Sequence, residues 1–167
     1  MSDKVYNVLF LSRRNTARSI LAEAILKKIG KGRFKAFSAG IDPEGAIDPN
    51  VLSLMEFYEL PLQGARPKHY REFTGEDAPQ LDFMFTLSDT AAGEKLPEWP
   101  GMPVTAHWSS TDPVLFEGEP LEIKQAFRRT MTELERRLSI FVNLPFASLD
   151  RMSLKSEVEK IGEKTPG

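Results

Sequence analysis

Cysteine is absent from this chain of 167 residues. Its absence excludes disulfides, cysteine metal sites and thiol chemistry in the molecule as written. Long hydrophobic runs are also lacking, because no stretch approaches the length of a transmembrane helix. The first residues show neither the charged region nor the apolar region of a signal peptide. We therefore expect a cytoplasmic protein that has no membrane partner.

A strong excess of charge of one sign is lacking as well. The formal net charge is −2, so no global field attracts nucleic acid, and an anion site must be local. Histidine is scarce, since only His69 and His107 are present. The sequence predicts no nucleic-acid partner, no metal and no cofactor.

What is present is an alternation of short apolar runs and helical patterns. The runs predict strands at residues 5–11, 34–39, 81–87 and 104–108. Helices are predicted from residue 18 to about 29, from Pro49 behind the cap Asp48, and over about 119–144. This order predicts an α/β layer fold around a mainly parallel sheet.

The C-terminal part of the chain is more polar than the rest. One domain is predicted over residues 1–148, and residues 149–167 are predicted to form a tail or short helix outside the core. On the long helix before it, Arg128-Arg129 and Arg136-Arg137 are predicted to lie on a solvated face.

The loop after the first strand has the composition of an oxyanion site. Loop amides and a helix N-terminus present N–H donors, and Arg18 in the first turn of the helix can grip two oxygens at once. Asn15 tolerates a left-handed conformation, and Ser19 can donate its hydroxyl to Ser12. The predicted anion-binding residues are Ser12, Arg13, Arg14, Asn15, Thr16, Ala17, Arg18 and Ser19.

The segment Leu11-Ser12-Arg13-Arg14-Asn15-Thr16-Ala17-Arg18-Ser19 resembles the Cys-x5-Arg-Ser loop of the low-molecular-weight protein tyrosine phosphatases and of the arsenate reductases with the same fold. Asp112-Pro113 resembles the general-acid loop of that family, and Ser38-Ala39-Gly40 is a further match. The similarity runs from about Val5 to Pro145 and is closest to the arsenate reductase branch. It implies a three-layer fold: a four-stranded mainly parallel sheet with helices on both faces.

The resemblance also implies roles for Ser12, Arg18 and Asp112. In the family mechanism a cysteine thiolate at position 12 attacks phosphorus, the arginine stabilises the equatorial oxygens, and the aspartate protonates the leaving oxygen. A serine hydroxyl titrates far above a thiol and is not ionised by the same surroundings. The site is therefore expected to bind a phosphate-like oxyanion or a phosphorylated substrate and to have lost most of its catalysis.

The departures from the family go beyond position 12. The resemblance implies two further cysteines in thioredoxin-coupled arsenate reductases, where this chain has Ser88 and, nearby, Lys95-Leu96. Three interpretations stay open. The chain is a phosphatase or arsenate reductase whose cysteine was replaced by serine, a natural binding module for phosphate-like anions or phosphorylated partners, or an enzyme that uses Ser12 as its nucleophile.

Overall fold

The computed structural model describes residues 4–93, 95–96 and 98–163. The start of the predicted domain, residues 1–3, and the end of the predicted tail, residues 164–167, lie outside this part. Within it the strands are β1 (Tyr6–Ser12), β2 (Phe34–Gly40), β3 (Phe83–Thr86) and β4 (Val104–His107). The α-helices are α1 (Arg18–Ile29), α2 (Pro49–Phe57), α3 (Asp89–Gly93), α4 (Pro120–Val142) and α5 (Arg151–Glu163).

The four strands form one parallel sheet in the order β2-β1-β3-β4. The pairing aligns their C-terminal ends, because Ser12 lies opposite Gly40 and Leu11 lies opposite Thr86. Thr86 in turn lies opposite His107. The predicted parallel sheet is confirmed, and the loops that follow its strands meet at one edge.

Alternate residues of β1 supply two separate cores, as expected for a strand buried on both faces. Val8 and Phe10 pack in a large cluster with side chains of α1, α2, α4 and α5. Leu9 and Leu11 pack on the opposite face with Phe73 of a 3-10 turn and with α3. The predicted layers on both faces are confirmed, although the second layer is much thinner than the first.

Helix α4 follows a capping box, in which Glu119 and Glu122 satisfy each other's backbone N–H groups. One side of this 23-residue helix is buried and includes Phe127, Leu134 and Phe141. The opposite side is polar. No helix in the described part of the chain is long and apolar enough to cross a membrane.

The expectation that the C-terminal segment lies outside the core is wrong. Val158 and Ile161 of α5 are 0% and 2% exposed and belong to the main core. The indole N–H of Trp108 donates to the carbonyl of Val158 at 2.9 Å. Gly162 lies so close to β4 that a Cβ there would meet the carbonyl oxygen of His107 at 2.5 Å. Helix α5 therefore covers the β4 edge of the sheet.

Candidate functional site

The loop between β1 and α1 is folded back over the end of β2. Asn15 has a φ of 59°, the left-handed conformation predicted for it. Gly40 makes the close approach of the loop possible, because a Cβ there would lie 3.0 Å from the carbonyl oxygen of Arg13. Ser12 and Asn15 are buried, with exposed fractions of 2% and 0%.

Donor groups converge on the Ser12 hydroxyl. Its Oγ lies 2.6 Å from Oγ of Ser19 and accepts the backbone N–H of Asn15 at 3.3 Å. The Asn15 side-chain amide donates to Ser19 Oγ at 2.7 Å, so the Ser19 proton is free to point towards Ser12. This arrangement stabilises negative charge at position 12, which a thiolate would carry and a serine hydroxyl does not.

Arg18 begins α1 and its side chain is buried below the loops that follow β3 and β4. Nη1 donates to the carbonyl oxygen of Ser110 at 2.8 Å and to that of Leu87 at 3.3 Å. Burial lowers the pKa of the guanidinium, while the carboxylates of Asp112 and Asp89 oppose that shift. An arginine remains charged at neutral pH despite such a shift, so the site contains a permanent, poorly solvated cation.

Asp112 reaches Arg18 from the loop after β4. Its Oδ2 lies 3.3 Å from Nη2 of Arg18, and its Oδ1 accepts the backbone N–H of Val114 at 3.0 Å. The second contact caps a 3-10 turn that starts at Pro113. The carboxylate is thereby held at the mouth of the loop with about a fifth of its side chain exposed.

The other predicted loop residues lie at the rim or support the backbone. Arg13 is exposed, and Nε of Arg14 lies 3.7 Å from a carboxylate oxygen of Glu44. The carbonyl of Thr16 accepts the N–H of Asp48, while Ala17 is buried in the core. The structure thus joins Ser12, Asn15 and Ser19 in one hydrogen-bonded cluster and pairs Arg18, at the start of α1, with Asp112.

Neither histidine is hydrogen-bonded to the Ser12 hydroxyl. Nε2 of His107 lies 3.0 Å from Asp89, and its Nδ1 lies 2.8 Å from the hydroxyl of Thr86. His69 accepts the backbone N–H of Arg71. Within the described part of the chain, Ser12 Oγ has hydrogen bonds to Asn15 and Ser19 and to no base.

Two buried charged residues that support the site escaped prediction from the sequence. Glu23 accepts the Ser38 hydroxyl at 2.5 Å and lies 4.0 Å from the ammonium of Lys68, whose backbone N–H donates to Asn15. Arg137 was predicted to be solvated but is only 4% exposed, because it donates to the carbonyl of Ser109 near the Asp112 loop. Each has an ion-pair partner one turn away on its own helix, Lys27 for Glu23 and Glu133 for Arg137. The tertiary partners Ser38 and Ser109, however, are not marked by any local sequence signal.

Substitution of Asn15 is expected to show how much of the loop depends on this residue. Asn15→Ala should lower the free energy of unfolding by about 2–4 kcal/mol, because alanine disfavours positive φ and leaves the Lys68 N–H without its acceptor. Asn15→Gly should recover about 1–2 kcal/mol of that loss, since glycine removes only the backbone strain. Urea unfolding measures both changes, and an alanine variant as stable as the glycine variant would contradict the strained geometry.

The sheet order, the buried arginine and the aspartate loop define an α/β protein of the low-molecular-weight phosphatase fold. Residues 7–158 match the family described as low molecular weight phosphotyrosine protein phosphatase. The chain belongs to this family.

Among curated proteins, the chain is similar to the arsenate reductase of Halalkalibacterium halodurans, with 29% identity over 141 residues, 84% of this chain and 96% of the relative. It is 26% identical over 127 residues to the glutaredoxin arsenate reductase of a Synechocystis species, which covers 75% of this chain and 90% of that protein. The predicted similarity to the arsenate reductases is confirmed.

Solved structures support the same assignment. The arsenate reductase of Archaeoglobus fulgidus is 27% identical, with a TM-score of 0.65 over 82% of this chain and 99% of its own. The structure of Vibrio vulnificus Wzb in complex with benzylphosphonate has a TM-score of 0.63 at 17% identity, and covers 82% of this chain and 97% of its own. This second likeness shows the fold alone.

Proposed function

We propose that this protein binds a tetrahedral oxyanion, a phosphate or arsenate that is free or carried by a phosphorylated partner, in the loop from Ser12 to Ser19. The observation that carries the proposal is Arg18, a buried guanidinium at the N-terminus of α1. Both the helix N-terminus and the guanidinium favour an anion, and the second allows bidentate binding.

We further propose that catalysis is impaired in the chain as written. Ser12 occupies the place of the nucleophile, and the donors around its Oγ stabilise an anion that serine does not form near neutral pH. In the described residues no base is hydrogen-bonded to this hydroxyl. A chain without cysteine also supplies no thiol electrons of its own for arsenate reduction.

All three interpretations keep the anion site, and the two that imply impaired catalysis differ in the origin of Ser12. A single replacement at position 12 would leave the other family cysteines in place, whereas Ser88 and Leu96 also stand where the resemblance implies thiols. These residues favour a natural binding module over an engineered arsenate reductase, while a phosphatase that needs only one cysteine and had it replaced stays open as an alternative. The cytoplasmic location expected from the sequence stays a prediction.

Phosphate should stabilise the protein through Arg18. At about 100 times its dissociation constant, an anion that binds only the folded state adds about 2.7 kcal/mol, or roughly 5–10 °C in Tm for a chain of this size. Arg18→Lys should remove most of the shift, because an ammonium is a point charge without the planar fork. Differential scanning fluorimetry with phosphate, arsenate and sulfate measures the shift in Tm.

The matched control is Lys35→Ala, which removes an exposed cation of β2 outside the loop from Ser12 to Ser19 and should keep the shift. Potassium chloride at equal ionic strength should give none. No stabilisation of the unmodified chain by any of the three anions, or equal stabilisation of Arg18→Lys, would refute the proposed site.

A further inference from the structure

A second surface lies on the far side of the Asp112 loop. A groove of about 730 Å³ runs between the segment from Thr111 to Phe116 and the exposed side of α4. Its volume lies within the range of about 300–1,000 Å³ that ligand pockets occupy. The loop from Ser12 to Ser19 does not line this groove, and of the residues of the candidate site only Asp112 does, so the groove adjoins the site without containing that loop.

The groove is positively charged. Arg128, Arg129 and Arg136 line it and are exposed, and within the described part of the chain none of them has a carboxylate within 4.0 Å. Its two acidic residues are already paired: Asp112 lies 3.3 Å from Arg18, and Glu133 lies 3.2 Å from Arg137. The three arginines therefore form an uncompensated cluster on a protein whose net charge is −2.

Helical spacing explains why these cations share one wall. Arg129 and Arg136 are seven residues apart, so they lie almost two full turns apart on the same side of α4. The opposite side of the helix is buried in the core. Across the groove, Phe116 offers an apolar wall that is 37% exposed.

We propose that this groove, lined by Arg128, Arg129, Arg136 and Phe116, binds an acidic peptide segment of a partner protein. Carboxylates of the segment would pair with the guanidiniums, and an apolar side chain would pack on Phe116. Acidic peptide is favoured over nucleic acid because the cationic surface is local, while the chain as a whole has an isoelectric point of about 5.8 and repels a long polyanion.

The proposal is tested with a fluorescein-labelled, unphosphorylated peptide of alternating Glu and Phe residues, whose binding is followed by fluorescence anisotropy. The double variant Arg129→Glu/Arg136→Glu should weaken binding at least about tenfold, because it places like charge in the groove. The matched control, Lys31→Glu/Lys35→Glu, makes the same charge change at exposed residues near the β2 edge and should change the affinity less than about threefold.

Several outcomes would overturn the proposal. The first two are that the peptide does not bind, or that both double variants weaken its binding equally. The third is that a labelled single-stranded DNA binds more tightly than the peptide and is equally sensitive to the arginine substitutions. The fourth is that the protein sediments as a dimer, which the arginine substitutions dissociate. Phosphate stabilisation is measured in the same two variants and should persist in both. Failure of the groove is thereby distinguished from failure of the oxyanion site.

Discussion

Replacement of Ser12 by cysteine is expected to raise kcat/KM for aryl-phosphate hydrolysis at least about a thousandfold over the unmodified chain, since loss of a nucleophile in a serine protease costs more than that. The hydrogen-bond donors around position 12 are expected to stabilise a thiolate there. Asn15 and Ser19 direct donors at it, and the buried Arg18 cation lies in the same loop. These groups should lower the pKa of a thiol at this place below its usual value of about 8.5.

The matched control is Ser88→Cys, which places a thiol at another buried serine, in the loop after β3, and should create no hydrolysis. Asp112→Asn added to Ser12→Cys should lower the rate about a hundredfold or more, as expected for loss of a general acid. Efficient turnover by the unmodified chain that Ser12→Ala abolishes would contradict impaired catalysis and make Ser12 itself the nucleophile.

The position of the loop from Ser12 to Ser19 could be predicted because it depends on short-range patterns. An apolar run predicts β1, and the helical spacing of Ile20, Leu21, Ala24 and Ile25 predicts α1, so the residues between them have to form the turn. The carboxyl ends of parallel strands lie at one edge of a sheet, where ligands bind in such folds, so the turn was predicted to lie at that edge. The position of Asp112 near Arg18 followed from the family resemblance and not from periodicity.

The buried charges could not be predicted in this way. Arg137 follows an exposed arginine on the same helix, and only its partners, the carbonyl of Ser109 and the carboxylate of Glu133, explain its burial. Glu23 is likewise compatible with burial only because Ser38 and Lys27 donate to it. Their charge favours exposure of both residues, and hydrogen bonds and ion pairs, within the helix and to other elements, reverse that preference.

Helix α5 shows that the burial of apolar residues could also be missed in the sequence. Its sequence is polar overall, and three apolar side chains, Leu154, Val158 and Ile161, contact the main core. Their spacing of four and then three residues is helical and places them on one face, while helix α5 as a whole packs against the edge strand β4. The pattern therefore indicated a helix with one apolar face, but it did not show which part of the fold that face covers. Helix α5 is stabilised by its contacts with the residues that it covers, including the hydrogen bond from Trp108 to the carbonyl of Val158.

Trp108→Ala is expected to lower the free energy of unfolding by about 3–5 kcal/mol, the usual cost of deleting a fully buried aromatic side chain. The indole is 0% exposed and stacks on Phe85 with ring centroids 3.9 Å apart. Its N–H donates to Val158, so the same substitution leaves a carbonyl of α5 without its donor. Urea unfolding measures the loss, and limited trypsin digestion at Lys155 and Lys160 should become faster because α5 detaches more often.

Two controls separate the packing of Trp108 from its hydrogen bond. Trp108→Phe keeps an aromatic ring and should cost about 1–3 kcal/mol for the unsatisfied carbonyl and the smaller ring. Met152→Ala, at an α5 residue that is 83% exposed, should change stability by less than about 0.5 kcal/mol. If Trp108→Ala lowers the free energy of unfolding no more than Met152→Ala does, and leaves the rate of trypsin digestion unchanged, α5 is not packed on the core. If α5 is packed there, its loss also removes the contact of 3.5 Å between Nη2 of Arg137 and the carbonyl of Gly162, while the stronger bond of Arg137 to the carbonyl of Ser109, at 2.8 Å, remains.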